Sequence, residues 1–418
     1  MSTDGGRREE ILQTSARLFA SSGLRTSLEE IADACGILPG SLYHHFASKE
    51  AIIVELAERY RDDLDRTAKE ALDRLDAPEA KSFEDQIVEL GEAIAACAIH
   101  HRAAMLLTLY DPPTVAGERL TQVASQTPSA VDAAMLRILE AGRSAGAIRG
   151  GVDLPMLAER IVQSMLHIGV GISHRGPGGE RMPAIRCGVL LHGVTAAMPA
   201  KSTLDRSAAM KAARQVVDEW EELREVDDDR FAHLLAVART EFGRRGYEAT
   251  TIRDIGAAAG LSTGTVYRMV ESKDELLASI METYVETVTS TWNAVLRSPS
   301  PPLEQLDALT WSNIMLLERF GDEYRIHLAW LRQSPPSAVD LGATFPKQLR
   351  QIKILLAAGA RAGELRIEGP SADIRASSVT ELLWTPETII RAVGPPRAHA
   401  LARDTVLRGA ATRGRKNA

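Results

Sequence analysis

The side chains with chemistry to offer gather in one short stretch, and the chain contains that stretch twice. The first copy reads Gly36-Ile37-Leu38-Pro39-Gly40-Ser41-Leu42-Tyr43-His44-His45-Phe46, followed by Ser48 and Lys49. The second reads Gly260-Leu261-Ser262-Thr263-Gly264-Thr265-Val266-Tyr267-Arg268-Met269-Val270, followed by Ser272 and Lys273. The offset is a constant 224, pairing Gly36 with Gly260, Tyr43 with Tyr267 and Lys49 with Lys273. Hydroxyls, phenols, an imidazole, a guanidinium and ammonium groups at fixed spacing are donors suited to phosphate oxygens and base edges. That chemistry is recognition of a nucleic acid.

Each copy needs two short helices and a tight turn to present those groups. Ala32, Ala34 and Cys35 are small enough for one helix to lie close under the next. Gly36 and Gly260 supply the left-handed turn. Thr26 or Ser27, and Thr250 or Thr251, stand where an N-cap belongs, and their hydroxyls are also placed for phosphate contact. Pro39 falls in a first helical turn, which tolerates it, but it lacks the N–H that Thr263 keeps. Gly40 and Gly264 sit inside the second helix at a cost of about 1 kcal/mol each, and close approach of the backbone to DNA is a plausible return. Lys49 and Lys273 open the following helix, where positive charge and free N–H groups meet a phosphate. The pattern is that of a helix-turn-helix whose second helix enters the major groove.

Both copies resemble the DNA-binding domain of TetR/AcrR-family transcriptional regulators. The likeness extends upstream through Ile11, Phe19, Gly23, Thr26 and Ser27, and through Leu235, Phe242, Gly246, Thr250 and Thr251. It implies an all-α fold of two tandem units, each a helix-turn-helix domain followed by a helical ligand-binding and dimerisation domain. It implies a sequence-specific regulator, expected to be a repressor released by a small apolar effector, with no cofactor and a double-stranded operator as partner. Phosphates are assigned to Tyr43, Lys49, Tyr267 and Lys273. Base reading is assigned to Pro39, Ser41 and His44 in one copy, and Thr263, Thr265 and Arg268 in the other. The stretch Gly36–Phe46 further resembles members that govern lipid and sterol breakdown and sense CoA thioesters. A competing reading is a ligand- or protein-binding module that kept the fold without tight DNA binding.

Length and composition fit this picture. The chain has 418 residues, 45% hydrophobic and 25% charged, with aromatics at only 5%. No apolar run is long enough to span a membrane, and the N-terminus has no apolar signal core. The three cysteines, Cys35, Cys97 and Cys187, have no paired or ligand-like spacing, which points to a reducing cytoplasm. The net charge of −7 does not favour nonspecific DNA binding, so affinity must come from local donors and a good operator. Phosphate-cradling, dinucleotide and nucleophile-elbow motifs are absent, so no enzyme is expected.

The expected domains are 7–60 and 229–284 for the two DNA-binding units, 61–198 and 285–410 for the helical regulatory units, and 411–418 for a basic tail. Residues 199–228 join the halves; a solvated spacer helix is the default, and an extension of the second half's first helix the alternative. Candidate effector contacts are Cys97, His101, Met105, Tyr110 and Met165 in the first half. In the second they are Trp311, Tyr324, His327, Trp330 and Trp384. Each is individually as well explained by ordinary core packing, but together they suggest an apolar cavity in at least one half. Cys97 and His101 lie one turn apart, too few ligands to argue a metal. Since one chain holds both recognition helices, the last two helices of each half are expected to close on one another as an intramolecular pseudo-dimer, with a homodimer as rival. The 141–149 turn has an echo at 358–366, so the repeat covers the regulatory layer as well.

Overall fold

A computed structural model describes residues 4–22, 26–77, 81–107, 118–124, 128–170, 177–195, 197–222, 230–247, 249–330 and 344–412. Among them the fold is all-α. The first half comprises α1 (Asp4–Ser22), α2 (Leu28–Ala34), α3 (Pro39–His45), α4 (Lys49–Leu75), α5 (Phe83–His100), α6 (Arg102–Leu107), α7 (Glu118–Ala124), α8 (Ser129–Ser144), α9 (Leu154–Val170) and α10 (Met182–His192). Two helices join the halves, α11 (Lys201–Asp205) and α12 (Ala208–Glu222). The second half comprises α13 (Arg230–Arg245), α14 (Ile252–Ala258), α15 (Thr263–Met269), α16 (Lys273–Arg297), α17 (Pro302–Arg319), α18 (Gly321–Trp330), α19 (Thr344–Arg361), α20 (Ala372–Leu382), α21 (Glu387–Val393) and α22 (Pro395–Ala402). A π-helical turn, Arg403–Leu407, follows.

In each half one long helix carries the DNA-binding domain into the regulatory layer. On α4 the residues Ile52, Leu56, Tyr60, Leu64, Ala68 and Ala71 recur at helical spacing and are all buried, against α5 and α8. On α16 the same role falls to Leu276, Leu277, Ile280, Tyr284, Val288 and Trp292. Trp292 is fully buried and donates from Nε1 to Asn313 Oδ1 at 3.0 Å.

The linker departs from expectation. Ala209, Met210, Ala213, Val217 and Trp220 make a buried stripe on α12, which packs on α16 and α17. The Trp220 ring meets Phe320 edge-on, with centroids 5.6 Å apart. A solvated spacer is therefore the wrong description: α12 is an added core helix of the second half. Helix breaks fall at three identifiable residues. His101 separates α5 from α6, Pro128 caps α8 and Pro386 caps α21; prolines lack the N–H that a continuing helix needs. Residues 408–412 are no loose tail, because Ala411 and Thr412 bond to the first half; residues 413–418 lie outside the described set.

The halves meet along α9 and α10 of the first and α20, α21 and the π-helical turn of the second. At their centre the backbone pairing is reciprocal. Counterparts here lie 216 residues apart, Leu191 with Leu407 and Gly193 with Gly409. Val194 N donates to Val406 O at 2.9 Å, and Ala410 N to Leu190 O at 3.0 Å. Thr195 N donates to Leu407 O at 3.1 Å, and Ala411 N to Leu191 O at 2.7 Å. Arg149 N reaches Ala410 O at 3.0 Å, and Arg366 N reaches Val194 O at 2.7 Å. Each of these six bonds has its mate in the other direction, which is the signature of an isologous, two-fold contact. Gly193 and Gly409 make the crossing possible: a Cβ on Gly193 would stand 2.3 Å from Leu407 O, and one on Gly409 2.2 Å from His192 C.

Candidate nucleic-acid interface

Both helix-turn-helix units are assembled by local capping. Ser27 accepts from Glu30 N while Glu30 accepts from Ser27 N, a capping box that starts α2. Thr251 and Asp254 form the same box on α14. Gly36, at φ +64°, and Gly260, at φ +69°, turn the chain as expected. Ile37 N then bonds Ala32 O at 3.0 Å, and Leu261 N bonds Gly256 O at 2.8 Å.

The recognition helices α3 and α15 bury one residue each, Leu42 and Val266. The opposite face is open. Tyr43 is 51% exposed and Tyr267 55%. Gly40, Ser41 and His44 are exposed in one copy, Thr263, Gly264 and Arg268 in the other, while Pro39 and Thr265 are half-buried. A Cβ on Gly40 or Gly264 would meet nothing within 4 Å. The protein's own packing thus gives no reason for glycine at either place, and the space above the backbone is left to another molecule.

The copies differ in how they start. Ser262 caps α15, accepting from Thr265 N at 3.1 Å, and Arg268 Nη2 donates to Thr265 Oγ1 at 3.1 Å. In α3 the N-cap is Leu38, which makes no side-chain cap and is 76% exposed. An apolar group there suits a thymine methyl rather than a phosphate. Leu38 and the exposed Arg253 on α14 went unnoticed in the sequence, since neither repeats between the copies.

Three of the assigned residues are engaged within the protein. Thr26 and Thr250 are buried. Thr250 Oγ1 donates to Gly246 O at 2.9 Å and Glu241 O at 3.2 Å, so it braces the loop after α13. Lys273 is committed inward: Nζ donates to Tyr247 O at 2.8 Å and Thr250 O at 2.9 Å, and lies 4.0 Å over the Tyr247 ring. It clips the start of α16 to the loop before α14. Ser27 and Thr251 remain at the edge of the interface, and Lys49 is half-buried at the start of α4.

The effector candidates are less cohesive. Cys97, Met105 and Met165 are buried. His101 Nε2 pairs with Asp63 Oδ2 at 2.7 Å, and burial outweighs that partner, holding the imidazole below its usual value. Tyr324 stacks on Trp384, with centroids 4.9 Å apart. His327 packs near Tyr284, and burial lowers its pKa to about 4. Trp311 is half-buried. Tyr110 and the side chain of Trp330 lie outside the described residues. One cleft of about 290 Å³ is lined by Arg239, Arg319, Arg325, Arg391 and four carboxylates between α13, α17, α18 and α21.

The family model for bacterial regulatory proteins of the tetR family matches the chain twice, at residues 11–56 and 234–280. The HTH-type transcriptional repressor KstR2 of Rhodococcus jostii is 36% identical over 177 residues, 42% of this chain and 82% of that protein. KstR2 of Mycobacterium tuberculosis is 49% identical over 87 residues, 19% of this chain and 43% of that protein. The solved structure of the ketosteroid regulator KstR2 of M. tuberculosis aligns at 23% identity with a TM-score of 0.38, covering 42% of this chain and 91% of its own. With two matches to the DNA-binding model and a relative spanned over most of its length, the chain belongs to the TetR family of transcriptional regulators, as a DNA-binding member carrying two family units in tandem.

Proposed function

We propose that the chain is a single-chain pseudo-dimer that represses transcription from an asymmetric operator and is released by a small-molecule effector. The reciprocal backbone pairing around Gly193 and Gly409 carries this reading. Two-fold symmetric regulators place two recognition helices about 34 Å apart on a palindrome. Here both helices belong to one molecule, and the residues proposed to read bases differ: Pro39, Ser41 and His44 against Thr263, Thr265 and Arg268. Unlike readers call for unlike half-sites. The tether holds the second half at millimolar effective concentration, which favours closure within the chain. Repression is inferred from the relatives' names, and the DNA-binding and regulatory domains are taken to divide at residues 60, 198, 228 and 284. Tyr43, Tyr267, Ser27, Thr251 and Lys49 are the proposed phosphate contacts. An apolar effector and a cytoplasmic location are part of the proposal; no described helix is long and apolar enough to cross a membrane.

Native mass measurement of free protein and of its complex with the DNA upstream of its own gene tests this. One chain per operator is expected. Two chains per operator would sink the pseudo-dimer, and failure to shift any DNA would favour the module that binds only ligand or protein.

A further inference from the structure

The seam between the halves encloses two guanidinium groups. Arg160 on α9 and Arg186 on α10 are each 1% exposed. Arg160 donates to Thr385 Oγ1 at 3.0 Å and to Leu382 O at 2.7 Å, both in the second half. Arg186 donates to Ser164 O at 2.5 Å. All three acceptors are neutral. The Nε atoms of both arginines are buried and find no acceptor. The two side chains line one cavity of about 10 Å³, together with Ser164, His167, Glu381, Leu382, Trp384 and Pro386.

The charges in this pocket do not balance. Among the described residues Glu381 is its sole lining carboxylate, and neither arginine is hydrogen-bonded to it. Burial pushes the Glu381 carboxyl up towards its neutral form, against the pull of Arg186. Burial also lowers Arg160, to about 10, which still leaves it charged at neutral pH. Two guanidinium groups, each 1% exposed, thus face one half-buried carboxylate, and buried ions require a partner of opposite sign. The free volume admits a single atom-sized occupant. It is too small for a carboxylate-bearing metabolite or a phosphate.

We propose that this cavity is a binding site for one small monovalent anion of chloride size, held by Arg160 and Arg186 between the two halves. The anion completes the charge balance of the seam and favours the closed arrangement, in which Arg160 reaches across to α20 and Thr385. The proposal concerns the seam alone and stands whether one chain or two occupy an operator.

The test uses the intact chain crystallised and soaked in bromide, with thermal unfolding followed in parallel. An anomalous bromide peak between Arg160 and Arg186 is expected, at one ion per chain. At constant ionic strength, replacing gluconate by bromide should raise the unfolding midpoint by about 2 °C per tenfold above saturation. Arg186→Gln should abolish that rise. A seam occupied by water with no anomalous peak would overturn the proposal, as would the same bromide dependence in wild type and Arg186→Gln. Should Arg186→Gln fail to fold, the anomalous peak in wild type decides alone.

Discussion

Replacing Gly193 by alanine tests the seam most directly. The new Cβ would sit 2.3 Å from Leu407 O, 2.4 Å from Arg408 C and 2.6 Å from Gly409 N, all backbone atoms that cannot rotate aside. Gly193 also has φ +73° with ψ 173°, a region essentially confined to glycine that costs an L-residue about 1–3 kcal/mol. To reach ordinary contact distance, residues 407–409 must withdraw by about 1 Å. That stretches the bonds from Val194, Thr195, Ala410 and Ala411, each with a net value of about 1 kcal/mol. Closure should therefore lose about 5 kcal/mol, or more than three powers of ten in its equilibrium constant. The millimolar local concentration supplied by the tether cannot offset a loss of that size. The assay is hydrogen exchange at those four amides, with sedimentation velocity and operator binding alongside. Faster exchange, slower sedimentation and weaker operator binding are expected, with both helix-turn-helix units still folded. Native protection of the four amides in Gly193→Ala would refute the reasoning.

Arg268→Ala should relax specificity at one position of one half-site at a cost of about 1–3 kcal/mol, whereas uniform weakening across every base substitution in a binding-site library would make Arg268 a phosphate contact. Lys273→Met should lower the melting temperature of the second DNA-binding unit, since it leaves Tyr247 O and Thr250 O without their donor; a salt slope reduced by about one unit with unchanged stability would instead restore a phosphate role. Two groups should each weaken the fold in acid, in separate stages. Burial holds His327 at about 4, so the unfolded chain takes up its proton first, and stability declines as the pH drops from about 6.5 towards that value. Burial pushes the Asp307 carboxyl up, but Arg403 and His399 outweigh it and hold it below the ordinary carboxylate range. Its contribution is present above about pH 4 and lost below, as pH falls through the lowered value. His327→Phe should flatten the upper stage only in equilibrium unfolding against pH.

The two DNA-binding units were legible because their determinants are local. A glycine turn, a cap and one buried apolar residue per short helix all lie within a single stretch, and repetition of that stretch separated signal from accident. The inward commitment of Lys273 was not legible. A lysine at a helix start reads as a phosphate ligand until the loop from Tyr247 to Thr250 is seen folded over it. The α12 stripe of Ala209, Ala213, Val217 and Trp220 was present in the sequence but masked by the charges around it. Arg160 and Arg186 lie on helices that are otherwise largely apolar, and that mismatch was the available clue. The groups they meet include Thr385, 225 positions from Arg160, a distance that periodicity does not register. The prolines at 128 and 386 mattered more to the helix breaks than the apolar pattern around them.

The reciprocal pairing also imposes an order in time. Leu190, Leu191, Val194 and Thr195 leave the ribosome 216 residues before Val406, Leu407, Ala410 and Ala411. At bacterial elongation rates that interval is about 10–40 s. Throughout it the completed first half presents an open, self-complementary edge with no partner of its own yet made. Neighbouring nascent chains on one messenger carry the same edge at the same stage. Expression of this protein therefore runs a race between waiting for its own second half and pairing with a sibling's first, and slower translation lengthens the wait.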